Sequence, residues 1–313
     1  MIEKQPLVSI IIPVFNGSNY LREAIDSALE QTYGNIEIIV INDGSTDNTE
    51  AIALSFGEKI RYIKKTNGGV SSALNLGIKE MKGEYFSWLS HDDKYSREKI
   101  AIQINALFKY KRKDLLVYCN SHQIDKDGKK LNDAKNNKYL LLNTINSWEK
   151  SLEALVKSGC FNGCSFLIPR IVFEESGSFD EELRFSQDFL MWSNIFLRHY
   201  SLLYIDNDCV MSRVHNGQLT QKGKEIFYSD SEKVAKILYD DLKKSSYSKQ
   251  NFIYFYAKYF AKYNCKSATK LYKNSGLLSL FKRGVIFCME LYGSIRPFIR
   301  KLYLKIFRRI KTS

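Results

Sequence analysis

No stretch of this 313-residue chain strings together the roughly 18 apolar residues that a membrane-spanning helix needs. The opening Met1-Ile-Glu-Lys-Gln-Pro6 lacks the basic start and long apolar region of a secretory signal, so a protein made and kept in the cytosol is expected. Six cysteines, Cys119, Cys160, Cys164, Cys209, Cys265 and Cys288, are scattered through mostly apolar surroundings. That is the pattern of reduced core cysteines, not of a disulfide framework. Cys160-Phe-Asn-Gly-Cys164 has a metal-like spacing, but no second pair and no nearby histidine completes a zinc site. The chain also lacks G-x-G-x-x-G after its first apolar run and G-x-x-x-x-G-K-[ST] anywhere, which argues against dinucleotide and P-loop sites. No internal repeat is evident.

What is present is a chain long enough for one main domain with an appendage, and 44% hydrophobic residues are enough for a core. Its formal charge of +13 is uneven: Lys282 to Ser313 holds nine Lys or Arg against one Glu, so +8 of the total lies there. Val8 to Val14 is a nearly continuous β-branched run, as in a parallel strand buried on both faces. Tyr20 to Gln31 follows with apolar residues at helical spacing. The alternation repeats with Ile36 to Ile41 and a helix after Asp47, Ile60 to Lys64 and a helix from Val70 to Met81, then Glu84 to Leu89 and a helix from Arg97 to Leu107. Such βαβα order predicts an α/β doubly wound, mostly parallel sheet that binds ligands at the carboxyl ends of its strands.

Beyond Asp114 the pattern loosens. Leu115 to Cys119, Ser165 to Ile168 and Leu202 to Ile205 read as strands, Asp125 to Asn137 as a hairpin or flexible loop, Gln187 to His199 as a helix and Val210 to Thr220 as irregular. From about Phe227 the composition turns to Lys, Tyr and Phe at helical spacing. The expected division is residues 1–224 as the main domain and 225–313 as a helical, basic C-terminal region.

Ser90-His91-Asp92-Asp93 places two adjacent carboxylates after the aromatic run Glu84 to Leu89, hence at the mouth of the sheet. Their mutual repulsion and lost hydration would be offset by a divalent cation and its phosphate ligands, although Asp-Asp also serves as a helix N-cap. Asn42-Asp43-Gly44-Ser45-Thr46-Asp47 follows the second strand, where a carboxylate can bond a nucleobase or ribose, or simply build a capped turn. Asn67-Gly68-Gly69 puts backbone N–H groups before the third helix, a weak anion site.

Taken with Val8-Ser-Ile-Ile-Ile-Pro-Val-Phe-Asn16, Leu29-Glu-Gln-Thr-Tyr33, Asn67-Gly-Gly-Val-Ser-Ser-Ala-Leu-Asn75, Gly83-Glu-Tyr85, Gly177-Ser-Phe-Asp-Glu181, Gln187-Asp188 and Arg213-Val-His215, these motifs resemble family 2 of the glycosyltransferases, whose catalytic domain has the GT-A fold. The resemblance runs from about Pro6 to Thr220. It implies a donor site for a nucleoside diphosphate sugar, UDP-linked by expectation, that includes Pro13, Val14, Asn16, Asp43, Asn67 and Asp92, with Asp43 on the base. It makes Asp93, with Asp92, the ligand of a Mg²⁺ or Mn²⁺ ion that neutralises the departing diphosphate. Asp188 becomes the general base that deprotonates the acceptor hydroxyl, with a helix-capping aspartate as the alternative. Arg213 and His215 become diphosphate contacts on a segment that folds over the donor, with a surface loop as the alternative.

Two departures from the family pattern stand out, Gln187 for a glutamate and Ser90-His91 where an additional aspartate is common. The Gln-x-x-Arg-Trp segment of processive members is absent, which favours transfer of single sugars. From Phe281 to Ile310 an apolar face of Ile295, Phe298, Ile299, Leu302, Ile306 and Ile310 opposes most of the Arg and Lys. Such a helix docks on an anionic membrane, each basic residue contributing about 1 kcal/mol, or packs on the main domain. Nucleic acid is not an expected partner. With the family resemblance, the tail implies a peripheral enzyme on the inner face of the membrane whose acceptor is a polyprenyl-diphosphate-linked glycan of capsule or O-antigen type. The competing readings are a sugar nucleotidyltransferase and a non-catalytic scaffold on a degenerate transferase domain.

Overall fold

A computed structural model describes residues 5–112, 114–133, 137–218, 224–244, 249–262, 265–273 and Ile286. The chain divides into two compact units, Met1–Gly223 and Lys224–Ser313. The first opens with strand β1 (Val8–Val14), every residue of which is buried. Helix α1 (Leu21–Leu29), β2 (Ile36–Asn42), α2 (Thr49–Leu54), β3 (Arg61–Lys64), α3 (Val70–Glu80) and β4 (Tyr85–Trp88) follow. These four strands lie in the order β3-β2-β1-β4 and pair in parallel. All four therefore point their carboxyl ends to one edge, where Asp43, Lys65 and the Ser90–Asp93 turn emerge. Pro13 lies beyond Ile11, the last residue of β1 that β4 pairs, so its missing N–H breaks no bond on that side.

The second half of the sheet mixes directions. After β5 (Lys94–Tyr95) and α4 (Lys99–Tyr110) come β6 (Leu116–Ile124), β7 (Thr144–Asn146), α5 (Trp148–Ser158), β8 (Phe166–Pro169), α6 (Arg170–Ser176), α7 (Gln187–Leu197) and β9 (Leu202–Arg213). β8 runs antiparallel between β4 and β6, β9 is parallel to β6, and β5 and β7 are antiparallel to β9. Leu202–Arg213 is thus one continuous strand, where the sequence suggested a short strand and then an irregular segment. The exposed Asp206-Asn207-Asp208 within it sits at register shifts opposite Tyr118–Ser121, so the polar interruption is absorbed by a bulge, not a chain break.

Between the sheet and helices α6 and α7, Phe86, Phe166, Phe173, Phe179 and Trp192 form a buried aromatic cluster with edge-on and tilted ring pairs. Lys99 is fully buried at the start of α4. Its Nζ donates to Ser87 Oγ and Gln103 Oε1, both at 2.9 Å, and to the Phe166 carbonyl at 3.3 Å. Burial pushes that ammonium's pKa down. In the second unit, α8 (Lys224–Lys244), α9 (Lys249–Lys262) and α10 (Lys266–Lys273) are held by Tyr239, Tyr256, Phe260 and Tyr272, the last donating to the Ala235 carbonyl at 2.9 Å. No helix among the described residues is long and apolar enough to cross a membrane. The basic tail from Lys282 lies, Ile286 apart, outside the described residues.

Asn75 pairs with the Phe179 backbone in both directions at 2.9 Å, fixing α3 to the Gly177–Glu181 segment. Gly77 packs α3 onto β1: a Cβ there would lie 2.3 Å from Ile11 Cγ2. Gly77→Ala gains helix propensity of about 1 kcal/mol but overpacks the core by more, so a net loss on the order of 1 kcal/mol is expected in urea unfolding. An unchanged midpoint would contradict this close packing.

Candidate active site

The loops at the carboxyl edge are laced to one another. Asn16, in the left-handed region at φ 49°, donates its N–H to Ser45 Oγ at 2.9 Å and accepts from the Thr46 N–H at 2.8 Å. Gly17 N–H donates to Thr49 Oγ1, and Ser18 N–H to Asp47 Oδ2. Burial would raise the Asp47 carboxyl, but the hydrogen bonds from Thr49 and Ser18 outweigh it and bring the pKa down to about 2. The Val14 carbonyl accepts the Asp43 N–H at 2.8 Å.

Asp43 is buried and its carboxylate is already bonded. Oδ1 accepts from Lys65 Nζ at 2.7 Å and Gly68 N–H at 2.9 Å, and Oδ2 from Gly69 N–H at 2.7 Å. Asn67 Nδ2 donates to the Asp43 carbonyl at 2.9 Å. The Asn67-Gly68-Gly69 turn is therefore an anion site whose anion is the chain's own Asp43. Lys65, a central partner here, was not singled out by the sequence, since a second lysine at a strand end carries no pattern of its own.

Asp93 is differently placed. Its buried Oδ1 accepts the Arg213 backbone N–H at 2.9 Å, and Oδ2 lies 3.5 Å from the Cys164 thiol. Among the described residues no Lys or Arg side chain forms an ion pair with it. Burial, reinforced by the charge of Asp92, pushes the Asp93 carboxyl up to about 8. Asp92 Oδ2 meets His215 Nε2 at 3.0 Å and Gln218 Nε2 at 3.4 Å. His91 packs on Gly17, where a Cβ would stand 2.4 Å from its ring, and burial lowers the ring's pKa.

The expectation that Arg213 contacts a diphosphate meets a side chain that is fully buried and occupied. Nε donates to the Asp92 carbonyl at 2.9 Å, one terminal nitrogen to the carbonyls of Lys126 at 2.9 Å and Asp125 at 3.3 Å, and the other to Glu23 at 3.0 Å. The guanidinium also lies 4.4 Å from the centre of the Tyr20 ring, against which His215 packs at 5.1 Å.

Asp188 stands in the first turn of α7. Oδ1 accepts the Phe189 N–H at 2.7 Å and Oδ2 accepts from the Cys160 thiol at 3.0 Å. Burial raises its pKa, outweighing those hydrogen bonds. Gln187 is 8% exposed and its Oε1 has no hydrogen-bond partner among the described residues. The structure thus joins Asp92, Asp93, His91, Arg213 and His215 in one cluster, ties Asn16 to the Asp43 turn, and links Asp93 to Asp188 through one short segment that carries both Cys164 and Cys160.

Residues 9–176 match the family described as glycosyl transferase family 2. The chain belongs to that family. An uncharacterised glycosyltransferase of Rickettsia typhi is 53% identical over 215 residues, which are 69% of this chain and 66% of that one. A longer Rickettsia felis glycosyltransferase is 52% identical over 219 residues but only 36% of its length is covered. Hyaluronan synthase of Pasteurella multocida is 38% identical over 130 residues, 41% of this chain and 13% of the synthase. The crystal structure of S. aureus TarS 1–349 in complex with UDP-GlcNAc superposes with a TM-score of 0.66 at 16% identity, covering 92% of this chain and 81% of that one. At that identity the likeness is one of fold, and it is the GT-A fold that the motifs of this family imply.

Removing Arg213 would leave three carbonyls without donors at about 1–3 kcal/mol each, so Arg213→Ala is expected to destabilise by about 3 kcal/mol or more. Arg213→Lys does not restore the loss, because one ammonium cannot span the guanidinium's partners. A denaturant midpoint within error of wild type for either variant would contradict the clamp.

Proposed function

We propose that the chain is an inverting glycosyltransferase that moves one sugar from a UDP-sugar to a hydroxyl of a lipid-linked oligosaccharide in envelope polysaccharide synthesis. The reading rests on one observation above the others: two adjacent carboxylates at the sheet's carboxyl edge, one of them buried with no basic side chain among the described residues paired to it. A buried carboxyl pushed up to about 8 by burial and a neighbouring acid needs an external cation to ionise at neutral pH. Hard oxygen donors suit Mg²⁺ or Mn²⁺, so Asp93 and Asp92 are the residues that would hold one. Among the described residues no three His, Cys, Asp or Glu side chains are placed to hold one metal ion together, so further ligands would come from the donor's phosphates and water. When bound, the ion supplies Lewis-acid stabilisation of the diphosphate leaving group.

The chain's own residues do the rest. Asp188 takes the proton of the acceptor hydroxyl as its oxygen bonds to the anomeric carbon. The bond to the diphosphate breaks on the opposite face, inverting that carbon. Its raised proton affinity suits a base working near neutrality. Arg213 acts by holding Asp92 and Asp93 in place, and His215 meets Asp92 Oδ2 through its Nε2. The UDP assignment draws on the TarS complexes with UDP and UDP-GlcNAc. The lipid-linked acceptor and a peripheral membrane position draw on the basic amphipathic sequence after Phe281. In this reading residues 1–224 are the catalytic domain and 225–313 the membrane-associating region. Family membership disfavours a sugar nucleotidyltransferase.

The test is acceptor-free hydrolysis of UDP-glucose, UDP-galactose and their N-acetylhexosamine counterparts with Mn²⁺, followed by ¹H NMR. The first sugar released should be the β-anomer, and Asp188→Asn should slow its release by about 10²-fold or more. Initial α-anomer, an unaffected Asp188→Asn, or no turnover of any donor by folded protein would contradict the proposal.

A further inference from the structure

The pair Cys160 and Cys164 has no role in the chemistry so far, and its spacing suggested a metal that nothing else supports. In the fold the two thiols face different carboxylates. Cys164 Sγ lies 3.5 Å from Asp93 Oδ2, and Cys160 Sγ lies 3.0 Å from Asp188 Oδ2. The segment between them has little freedom. Phe161 is fully buried, Asn162 Nδ2 donates to Ser212 Oγ at 2.9 Å, and the Asn162 side-chain oxygen accepts the Cys164 N–H at 3.0 Å. Gly163 lies against Trp88 so closely that a Cβ would fall 2.3 Å from the ring. Upstream, α5 ends at Gly159, whose φ of 96° turns the chain out of the helix and delivers Cys160 to the start of α7.

We propose that Cys160 is a positioning residue for the general base, its thiol fixing the Asp188 carboxylate at the end of a rigid Cys160–Cys164 strut that also touches the metal-binding pair. The inference rests on the assignment of Asp188 as base. A cationic partner would depress the carboxylate's proton affinity by about 1–3 pKa units and weaken it as a base. A thiol is a weak donor that orients the carboxylate without that penalty, and its sulfur can accept in turn when Asp188 carries the proton. The titratable groups facing the pair are Asp188, Cys160 itself and Tyr118, whose hydroxyl takes the Asn162 N–H at 3.3 Å. Protein atoms packed around the sulfur and the Asp188 charge hold the Cys160 thiol well above its usual range, while the residue keeps an exposed surface.

Two measurements test this on the full chain. The first is the pH dependence of kcat for donor hydrolysis. Cys160→Ala removes a hydrogen bond to the charged carboxylate, so the Asp188 pKa rises further and the acid limb moves to higher pH. In the same variant kcat should fall about tenfold with little change in donor KM, and Cys160→Ser should restore both. The second needs no activity: iodoacetamide labelling mapped by mass to Cys160, an exposed cysteine. Removing the neighbouring charge in Asp188→Asn should speed labelling about tenfold, the consequence of a one-unit fall in thiol pKa. A Cys160→Ala enzyme with the wild-type acid limb and kcat, while Asp188→Asn is inactive, would overturn the positioning role and leave the base standing. Equal labelling rates in wild type and Asp188→Asn would overturn the thiol–carboxylate contact. Full activity of Asp188→Asn would remove the base and Cys160's role with it.

Discussion

Arg213 is the interaction on which the carboxyl edge of the sheet depends. A guanidinium taken out of water costs several kcal/mol unless its donors are paired, and here they reach three carbonyls, one carboxylate and the face of Tyr20. Those groups belong to α1, to the turn after β4 and to the loop after β6, so one side chain at the end of β9 fastens three separate pieces of chain. Its backbone N–H simultaneously holds Asp93 Oδ1. Placement of the acidic pair follows from a cation that no substrate need touch.

The acids of the site fall into two groups by what surrounds them. Asp43 and Asp47 are bonded by backbone N–H groups, with Lys65 added at Asp43, and they knit loops together. Asp93, buried, and Asp188, half-buried, have weaker partners, and both have raised pKa values. Groups of the first kind stabilise the resting fold. Those of the second hold unspent electrostatic potential, and carboxyls of that kind gather where a cation or a proton is to be taken up. The weak thiol partners of both, four residues apart on one rigid segment, suit that state better than lysines would.

Much of this architecture was legible in the sequence. Strands β1, β2 and β4 declared themselves because parallel strands buried on both faces need continuous β-branched and aromatic runs, and the helices between them keep a clear apolar stripe; β3, at the sheet's edge with no buried residue, showed only through its place in the alternation. The positions of Asp43, Asp92 and Asp93 after strand ends followed from that order. β9 was read short because Asp206-Asn207-Asp208 imitates a turn, and only the pairing partner β6 shows that a bulge carries the strand on. Arg213 looked like a ligand contact because sequence gives the charge but not the burial. The roles of Lys65 and Cys160 depend on partners more than twenty residues away, which no local spacing encodes.

Calorimetric titration of UDP into the full chain with and without Mn²⁺ asks whether the carboxyl edge of this sheet is a metal-dependent nucleotide site. Binding that needs the ion, and that disappears in Asp93→Ala while the variant remains folded, is the predicted result. UDP binding of equal strength without the ion, or in Asp93→Ala, would contradict it.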